Sequence, residues 1–268
     1  MSLPSRVIPF VKASACGNDF LLIDAATVEG DSDLAVVTRR LCDRHEGVGA
    51  DGVEWMAPHA SADVELRLIN ADGSEAEISG NGTRCVAAYI CASQQKETIT
   101  IQTGAGLKTC VLTGRSESEY EFEIAMGEAD VGSELTVRLA AGEVRGIPVS
   151  IGNPHYVLLV SDIADDWQAR AAEIQRSPRF MQGVNVEMVV IEGKHDVRAR
   201  FFERGVGETQ SSGTGSCASA MAALSTGRVE SPIHVHTPGG TQTVRQEESV
   251  VFLRGAARLV CRGEFFLT

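Results

Sequence analysis

Short apolar and β-branched runs alternate with helix-like segments along most of the chain. The strand pattern covers residues 7–12, 20–24 and 64–70 in the first half and 151–160, 184–191 and 197–203 in the second. A helix capped by Asp31 or Ser32 and running to about His45 would place Leu34, Val37 and Leu41 on one face. Residues 165–176 have the pattern of a surface helix, and the tail from 233 to 268 alternates as in short strands. This mixture predicts an α+β fold.

Two further segments are apolar on all sides and consist largely of small residues. They cover 85–92 and 216–224, and a Ser-Gly-x-Gly sequence precedes each of them. A helix without a polar face is typical of a protein interior. We therefore expect one buried helix in each half of the chain.

Short motifs recur in the same order at about half the length of 268 residues. Gly17-Asn18 returns as Gly152-Asn153 after 135 residues, Gly47-Val48-Gly49 as Gly183-Val184-Asn185 after 136, and Ser79-Gly80-Asn81-Gly82 as Ser212-Gly213-Thr214-Gly215 after 133. Ordered matches at one spacing indicate a duplicated domain with a pseudo-two-fold axis. We expect a first half at 1–124, completed by the last strand at 258–268, and a second half at 125–257.

Composition narrows the functional classes. The formal net charge of -12 disfavours binding to nucleic acid or to an anionic membrane surface. No apolar run is long enough to cross a membrane, and the first residues lack the pattern of a secretory signal. The seven cysteines form no CxxC pair, which argues against a zinc site and favours free thiols in the cytoplasm.

The two Ser-Gly-x-Gly sequences carry candidate chemistry. A glycine-rich turn that opens a helix presents free amides and the positive end of the helix dipole, which suits a carboxylate or a phosphate. Two such turns in facing halves would bracket one small anionic ligand, with Ser79 and Ser212 at its sides. The alternative for each serine alone is a simple N-cap.

Six segments resemble those of the diaminopimelate epimerase family, in the family's order. They are ACGNDF (15–20), GVGADG (47–52), NADGS (70–74), GNPH (152–155), GVNV (183–186) and ERGVGET (203–209). The resemblance implies two pseudo-symmetric α/β domains, each a curved sheet around a central helix, with the active site in the cleft between them. It implies an isomerase that interconverts LL- and meso-2,6-diaminopimelate without pyridoxal phosphate or another cofactor, for lysine and peptidoglycan precursors. It also allows a homodimer.

The resemblance also implies roles for individual residues. Asn18, Asn70, Asn153, Asn185, Glu203 and Arg204 would hold the carboxylates and amino groups of the substrate. Amides at Gly80, Asn81, Gly213 and Thr214 would stabilise the charge that develops on the reacting carboxylate. Glu203 would also take part in catalysis, and His155 would orient an acid/base group, although a buried structural histidine is the alternative.

The chain departs from the family at both acid/base positions, where Ser79 and Ser212 replace cysteines. A hydroxyl is a far weaker acid than a thiol, so we expect substrate binding with absent or very slow epimerisation. Three explanations are open. The serines are engineered, or the chain is a natural paralogue that acts as a dehydratase or isomerase on another amino acid, or it is a non-catalytic amino-acid-binding protein.

Three weaker signals are set aside. Gly104-Ala105-Gly106-Leu107-Lys108-Thr109 does not match the phosphate-binding GxxxxGK[ST] motif. His234 and His236 lie on one strand face without a further cysteine or histidine cluster, so no metal site is expected. Neither Ser79 nor Ser212 stands in a GxSxG sequence, which disfavours a serine hydrolase.

Overall fold

A computed structural model describes residues 6–28 and 33–267 of the chain. The α-helices of this part are α1 (Leu34–Cys42), α2 (Gly80–Gln94), α3 (Trp167–Gln175) and α4 (Gly213–Ser225). Its strands are β1 (Val7–Ala15), β2 (Asn18–Asp24), β3 (Gly52–Ala57), β4 (Val64–Asn70), β5 (Glu75–Ala76), β6 (Thr98–Thr103), β7 (Gly106–Ser116), β8 (Glu119–Glu128), β9 (Asp130–Val131), β10 (Leu135–Leu139), β11 (Gly142–Ser150), β12 (Pro154–Val160), β13 (Asn185–Ile191), β14 (Asp196–Glu203), β15 (Gly207–Thr209), β16 (Ile233–Thr237), β17 (Gly240–Glu247) and β18 (Val250–Phe266). None of the described helices is long and apolar enough to span a membrane.

The chain divides into two compact units. Unit 1 comprises Met1–Ile124 and Gly255–Thr268, and unit 2 comprises Ala125–Arg254. Unit 1 is therefore built from two separate stretches of sequence, whereas unit 2 is continuous.

The sheet of unit 1 combines parallel and antiparallel pairs. β2 pairs antiparallel with β1 and parallel with β3, β3 and β4 are antiparallel, β4 and β6 are parallel, and β6 and β7 are antiparallel. On one face, Val37 and Leu41 of α1 pack into an apolar cluster with Val53 and Trp55 of β3. Because side chains alternate along a strand, Glu54 between these two residues points to the opposite face, where α2 lies.

Unit 2 repeats this order of pairings. β12 pairs antiparallel with β11 and parallel with β13, β13 and β14 are antiparallel, β14 and β16 are parallel, and β16 and β17 are antiparallel. Val186 and Met188 of β13 pack in a cluster with Trp167 and Ile174 of α3. On the other face, Val189 and Phe201 belong to the cluster that encloses α4.

The helices α2 and α4 are buried on nearly all sides. Their inner turns contain Ala87, Ala88, Ala218, Ala220 and Ala222, each fully buried. Small side chains let the surrounding strands approach closely, which explains how each sheet wraps around one helix. The α+β fold with a buried helix in each half was predicted correctly.

The structure corrects the sequence analysis at three places. α1 begins at Leu34 with Asp33 as its N-cap, while Asp31 and Ser32 lie outside the described residues. The tail forms β16, β17 and then one long strand of 17 residues, β18, rather than short strands throughout. The prediction also missed β6 to β11. It missed β3 because this strand is buried on both faces and shows no apolar–polar alternation.

Candidate active site

Ser79 and Ser212 occupy equivalent places at the starts of the two buried helices. Both have extended backbone angles and act as N-caps: Ser79 Oγ accepts a hydrogen bond from the Gly82 amide at 3.1 Å, and Ser212 Oγ accepts one from the Gly215 amide at 3.2 Å. Both serines are therefore N-caps, and capping does not exclude a chemical role for their hydroxyl groups. This capping leaves the backbone amides of Gly80 and Gly213, the first residues of the two helices, without an acceptor inside the helix.

In unit 1, a row of amide side chains lies beside the start of α2. Asn81 Nδ2 donates to Asn18 Oδ1 at 2.7 Å, and Asn18 Nδ2 donates to Asp51 Oδ2 at 3.0 Å. The buried guanidinium of Arg84 donates to Asn81 Oδ1. These hydrogen bonds fix the side-chain orientation of two of the predicted binding residues, Asn18 and Asn81.

In unit 2, a longer chain of hydrogen bonds ends at the start of α4. Glu187 Oε1 lies 2.6 Å from His155 Nδ1, His155 Nε2 lies 2.9 Å from Asn153 Oδ1, and Asn153 Nδ2 donates to Thr214 Oγ1 at 3.3 Å. Since Asn153 Oδ1 can only accept, this network assigns a proton to His155 Nε2. Burial raises the pKa of Glu187, and the neighbouring His155 opposes that rise.

Glu203, the last residue of β14, is the hydrogen-bond acceptor of Ser212. Ser212 Oγ donates to Glu203 Oε2 at 3.2 Å, and Thr209 Oγ1 donates to Glu203 Oε1 at 2.7 Å. The serine hydroxyl at the start of α4 thus has a carboxylate that can accept its proton.

The remaining predicted residues are held by backbone groups or by near neighbours. Asn185 Nδ2 donates to the Pro154 carbonyl at 3.1 Å, and its Oδ1 accepts from the Arg204 amide at 2.9 Å. The exposed guanidinium of Arg204 donates to the Gln182 carbonyl at 2.6 Å. Asn70 Nδ2 donates to Ser74 Oγ at 3.0 Å, so no hydrogen bond within the described residues joins its side chain to the Asn18–Asn81 row.

Two buried glutamates, Glu54 and Glu187, were not among the residues predicted from the sequence. The strand registers make them equivalent: Leu22 pairs with Glu54 between β2 and β3, and Val157 pairs with Glu187 between β12 and β13. A signal was present, because Val53-Glu54 and Val186-Glu187 recur at the same spacing of 133 residues as the two serines. Burial raises the pKa of Glu54 to about 8, and its Oε1 has no hydrogen-bond partner in the described part of the chain.

The signals that were set aside acquire no ligand-binding geometry. His234 and His236 both contact Asp196 Oδ1, at 3.3 and 3.0 Å, and the described residues contain no group of three or more side chains suited to hold a metal ion. Residues 104–109 form the turn between β6 and β7 and the start of β7, with no helix after them.

The repeated sheet-and-helix unit defines a class of fold that solved structures share. A phenazine biosynthesis protein of the PhzF family from Bacillus anthracis superposes with a TM-score of 0.74 at 16% identity, over 97% of this chain and 99% of that one. A hydroxyproline epimerase from Agrobacterium vitis, with bound trans-4-OH-L-proline, gives a TM-score of 0.70 at 16% identity, over 98% and 92%. These likenesses show the fold.

The sequence identifies the family within that fold. The family described as diaminopimelate epimerase matches residues 10–132 and 147–260. Diaminopimelate epimerases from Elusimicrobium minutum and Halothermothrix orenii are 36% and 32% identical to the chain; each alignment covers 96% or 97% of this chain and 98% of the relative. The chain belongs to the diaminopimelate epimerase family and is an isomerase by that membership.

Proposed function

We propose that the chain binds 2,6-diaminopimelate and acts as an epimerase whose two acid/base groups are hydroxyls, so that its turnover is very slow. The observation that carries the proposal is the occurrence of a serine as N-cap of the buried helix in each unit. The family resemblance implies a cysteine at both positions.

Inversion at an α-carbon without a cofactor requires a base on one face of the carbon and an acid on the other. Each unit supplies one group of this kind, and we infer that both act on the same substrate molecule. The weak acidity of a serine hydroxyl makes its alkoxide scarce at neutral pH, whereas a thiolate is readily formed at a helix N-terminus. The proposed defect therefore lies in proton transfer and not in binding.

The negative charge of the substrate carboxylate is suited to the helix starts. Amides at Gly80 and Asn81 in unit 1, and at Gly213 and Thr214 in unit 2, would donate to that carboxylate as enolate-like charge develops on it. The planar guanidinium of Arg204 suits bidentate binding of a second carboxylate. We propose that the amide and carboxylate side chains at 18, 70, 153, 185 and 203 complete the binding of the carboxylates and amino groups.

His155 and Glu203 have supporting roles in this proposal. Glu203 would accept the Ser212 proton through the existing hydrogen bond of 3.2 Å. His155 would hold Asn153, since its ring lies between Glu187 and that amide. All seven cysteines are free, and six of them are buried or half-buried. Free thiols are in keeping with a reducing compartment, so we propose a cytoplasmic enzyme.

Deuterium incorporation at the α-carbon of LL-diaminopimelate in D₂O tests the proposal. We expect the Ser79→Cys, Ser212→Cys double variant to exchange several orders of magnitude faster than the unaltered chain. The Ser225→Cys variant is the matched control, because it adds a thiol at an exposed helix end. Comparable exchange in the chain and the double variant would contradict the proposal.

Calorimetric titration with LL- and meso-diaminopimelate separates binding from chemistry. Saturable binding by the unaltered chain is expected. Binding without exchange, even in the double variant, would instead favour a non-catalytic amino-acid-binding protein. Absence of binding would favour a paralogue that acts on another amino acid.

A further inference from the structure

Glu54 is a carboxyl group in an apolar part of unit 1. Its side chain is 1% exposed, and the adjoining strands place Leu22 and Leu68 beside it in the sheet. A buried carboxyl group without a hydrogen bond is costly to a fold, so its presence needs an explanation beyond packing.

The carboxyl group of Glu54 lies directly under the start of α2. A Cβ atom at Gly82 would stand 1.7 Å from Glu54 Oε1 and 3.3 Å from Ser79 Cβ. These two distances limit the separation of Oε1 and Ser79 Cβ to about 5 Å. Glu54, Ser79 and Thr83 also line one narrow pocket. The absence of a side chain at Gly82 is what allows this approach.

In unit 2, the serine at the helix start has a carboxylate as its hydrogen-bond acceptor. Ser212 donates to Glu203, but the position in unit 1 that corresponds to Glu203 holds Asn70. Asn70 is the last residue of β4 and pairs with Gly52. Glu203 is likewise the last residue of β14 and follows the Val186–Phe202 pair. The side-chain amide of Asn70 cannot accept a proton from a serine hydroxyl as a carboxylate can. Within the described residues, Ser79 Oγ has no carboxylate at hydrogen-bonding distance.

We propose that Glu54 is the proton acceptor for Ser79, and thus a positioning residue that acts through the serine. As the α-carbon–hydrogen bond breaks, its electron pair remains on the substrate as an enolate. The proton moves to Ser79 Oγ, while the hydroxyl proton of Ser79 moves to Glu54 Oε1 as the two oxygens close to hydrogen-bonding distance in the substrate complex. The reverse transfers protonate the α-carbon from the same side. The inference rests on the proposed function, and it adds a proton acceptor that the resemblance to the family does not supply.

The environment of Glu54 favours proton uptake, because protonation removes a buried charge. The titratable groups that face it are Cys85 of α2 and Glu77, which lines the same pocket before α2. β2 and β4 contribute leucines at the paired positions. Since only the carboxylate can accept a proton, Ser79-dependent exchange should rise with pH through about 8, the pKa to which burial raises Glu54.

The test uses the Ser212→Cys variant, in which Ser79 remains the weaker acid/base group. We expect Glu54→Gln in this background to lower α-carbon deuterium exchange of LL- or meso-diaminopimelate at least tenfold and to abolish the rise near pH 8. Glu77→Gln, at an exposed position of the same pocket, is the matched control and should leave both unchanged. An unaltered rate and pH profile in Glu54→Gln overturns the proposal.

A second measurement does not depend on turnover. The alkylation rate of the thiol introduced by Ser79→Cys is followed against pH by peptide mass spectrometry, with and without Glu54→Gln. A neighbouring carboxylate opposes thiolate formation, so Glu54→Gln should lower the midpoint by about one pH unit. An unchanged midpoint contradicts the proposal even where exchange is too slow to detect. Loss of diaminopimelate binding in calorimetry would count against the proposed function instead, because Glu54 is not assigned to binding.

Discussion

The starts of α2 and α4 have the same backbone plan but differently paired carboxyl groups. In unit 2, Glu203 accepts from Ser212 and Thr209, and Glu187 is bound to His155. In unit 1, Glu54 lies under the helix, and its Oε1 has no hydrogen-bond partner among the residues that the structure describes. A duplicated scaffold can therefore preserve strand register and helix capping while its two copies pair their carboxyl groups differently.

The packing below each helix accounts for part of the difference. A Cβ at Gly215 would meet the ring of Phe201 at 2.8 Å, whereas a Cβ at Gly82 would meet the Glu54 carboxyl oxygen at 1.7 Å. An aromatic ring fills the space in unit 2 that a carboxyl group fills in unit 1.

Glu187→Ala should destabilise the protein by about 3–5 kcal/mol, because it leaves His155 buried without its partner. Chemical denaturation at neutral pH measures the change in the free energy of unfolding. The Glu187→Gln variant keeps a hydrogen-bonding group and should lose less. Equal losses in the two variants would show that the pairing with His155 contributes little.

Glu54 should make stability fall as the pH rises. Its pKa in the folded protein is about 8, against an ordinary value of 4.5, so the unfolded chain releases this proton first. The cost of burying Glu54 is therefore smallest below about pH 4.5 and grows between that pH and about 8, by roughly 1.4 kcal/mol per unit. Between pH 5 and pH 8, Glu54→Gln should lose about 3–4 kcal/mol less than the unaltered chain. Parallel pH profiles of the two proteins would disprove this.

Gly82→Ala should cost about 1–3 kcal/mol through its clash with Glu54. The cost should largely disappear when Glu54→Ala is combined with it, which a double-mutant cycle of unfolding free energies measures. Gly215→Ala is the matched control, because its clash is with Phe201 and should be independent of residue 54. Additive behaviour of the Gly82→Ala and Glu54→Ala changes would place Glu54 away from the helix start.

Ser79→Ala should cost about 1 kcal/mol, the usual loss of an N-cap. Ser212→Ala should cost more by roughly 0.5–1.5 kcal/mol, because it also removes the hydrogen bond to Glu203. Urea unfolding midpoints of the two variants make the comparison. A larger loss for Ser79→Ala would reverse the assigned difference between the helix starts.

Local sequence patterns were sufficient to predict some of the elements, but β6 and β8 were missed although burial alternates along both strands. The strand β4 was placed at its observed bounds of 64 and 70, and both buried helices were located from their small residues. β3 escaped detection because burial on both faces removes the alternation, and Glu54 in its centre reads as a surface residue. The length of β18 also escaped, since its pairing with β1 is a long-range property.

For the site, the sequence predicted which residues are present but not which of them touch. The Glu187–His155–Asn153–Thr214 chain joins residues up to 61 positions apart, and no local pattern encodes such contacts. The link between Ser212 and Glu203 spans nine residues but crosses from a helix to a strand. The roles assigned by resemblance stay predictions until the exchange and binding measurements are made.

The pairing of β1 with the end of β18 has a consequence for synthesis on the ribosome. Val7 pairs with Phe266 and Ser14 with Arg258, so β1 finds this neighbour only after the whole of unit 2 has been made. Unit 2 is complete once Arg254 has emerged. The second unit of the chain can therefore assemble before the first, against the usual N-terminal-first order, because unit 1 also needs the stretch that begins at Gly255.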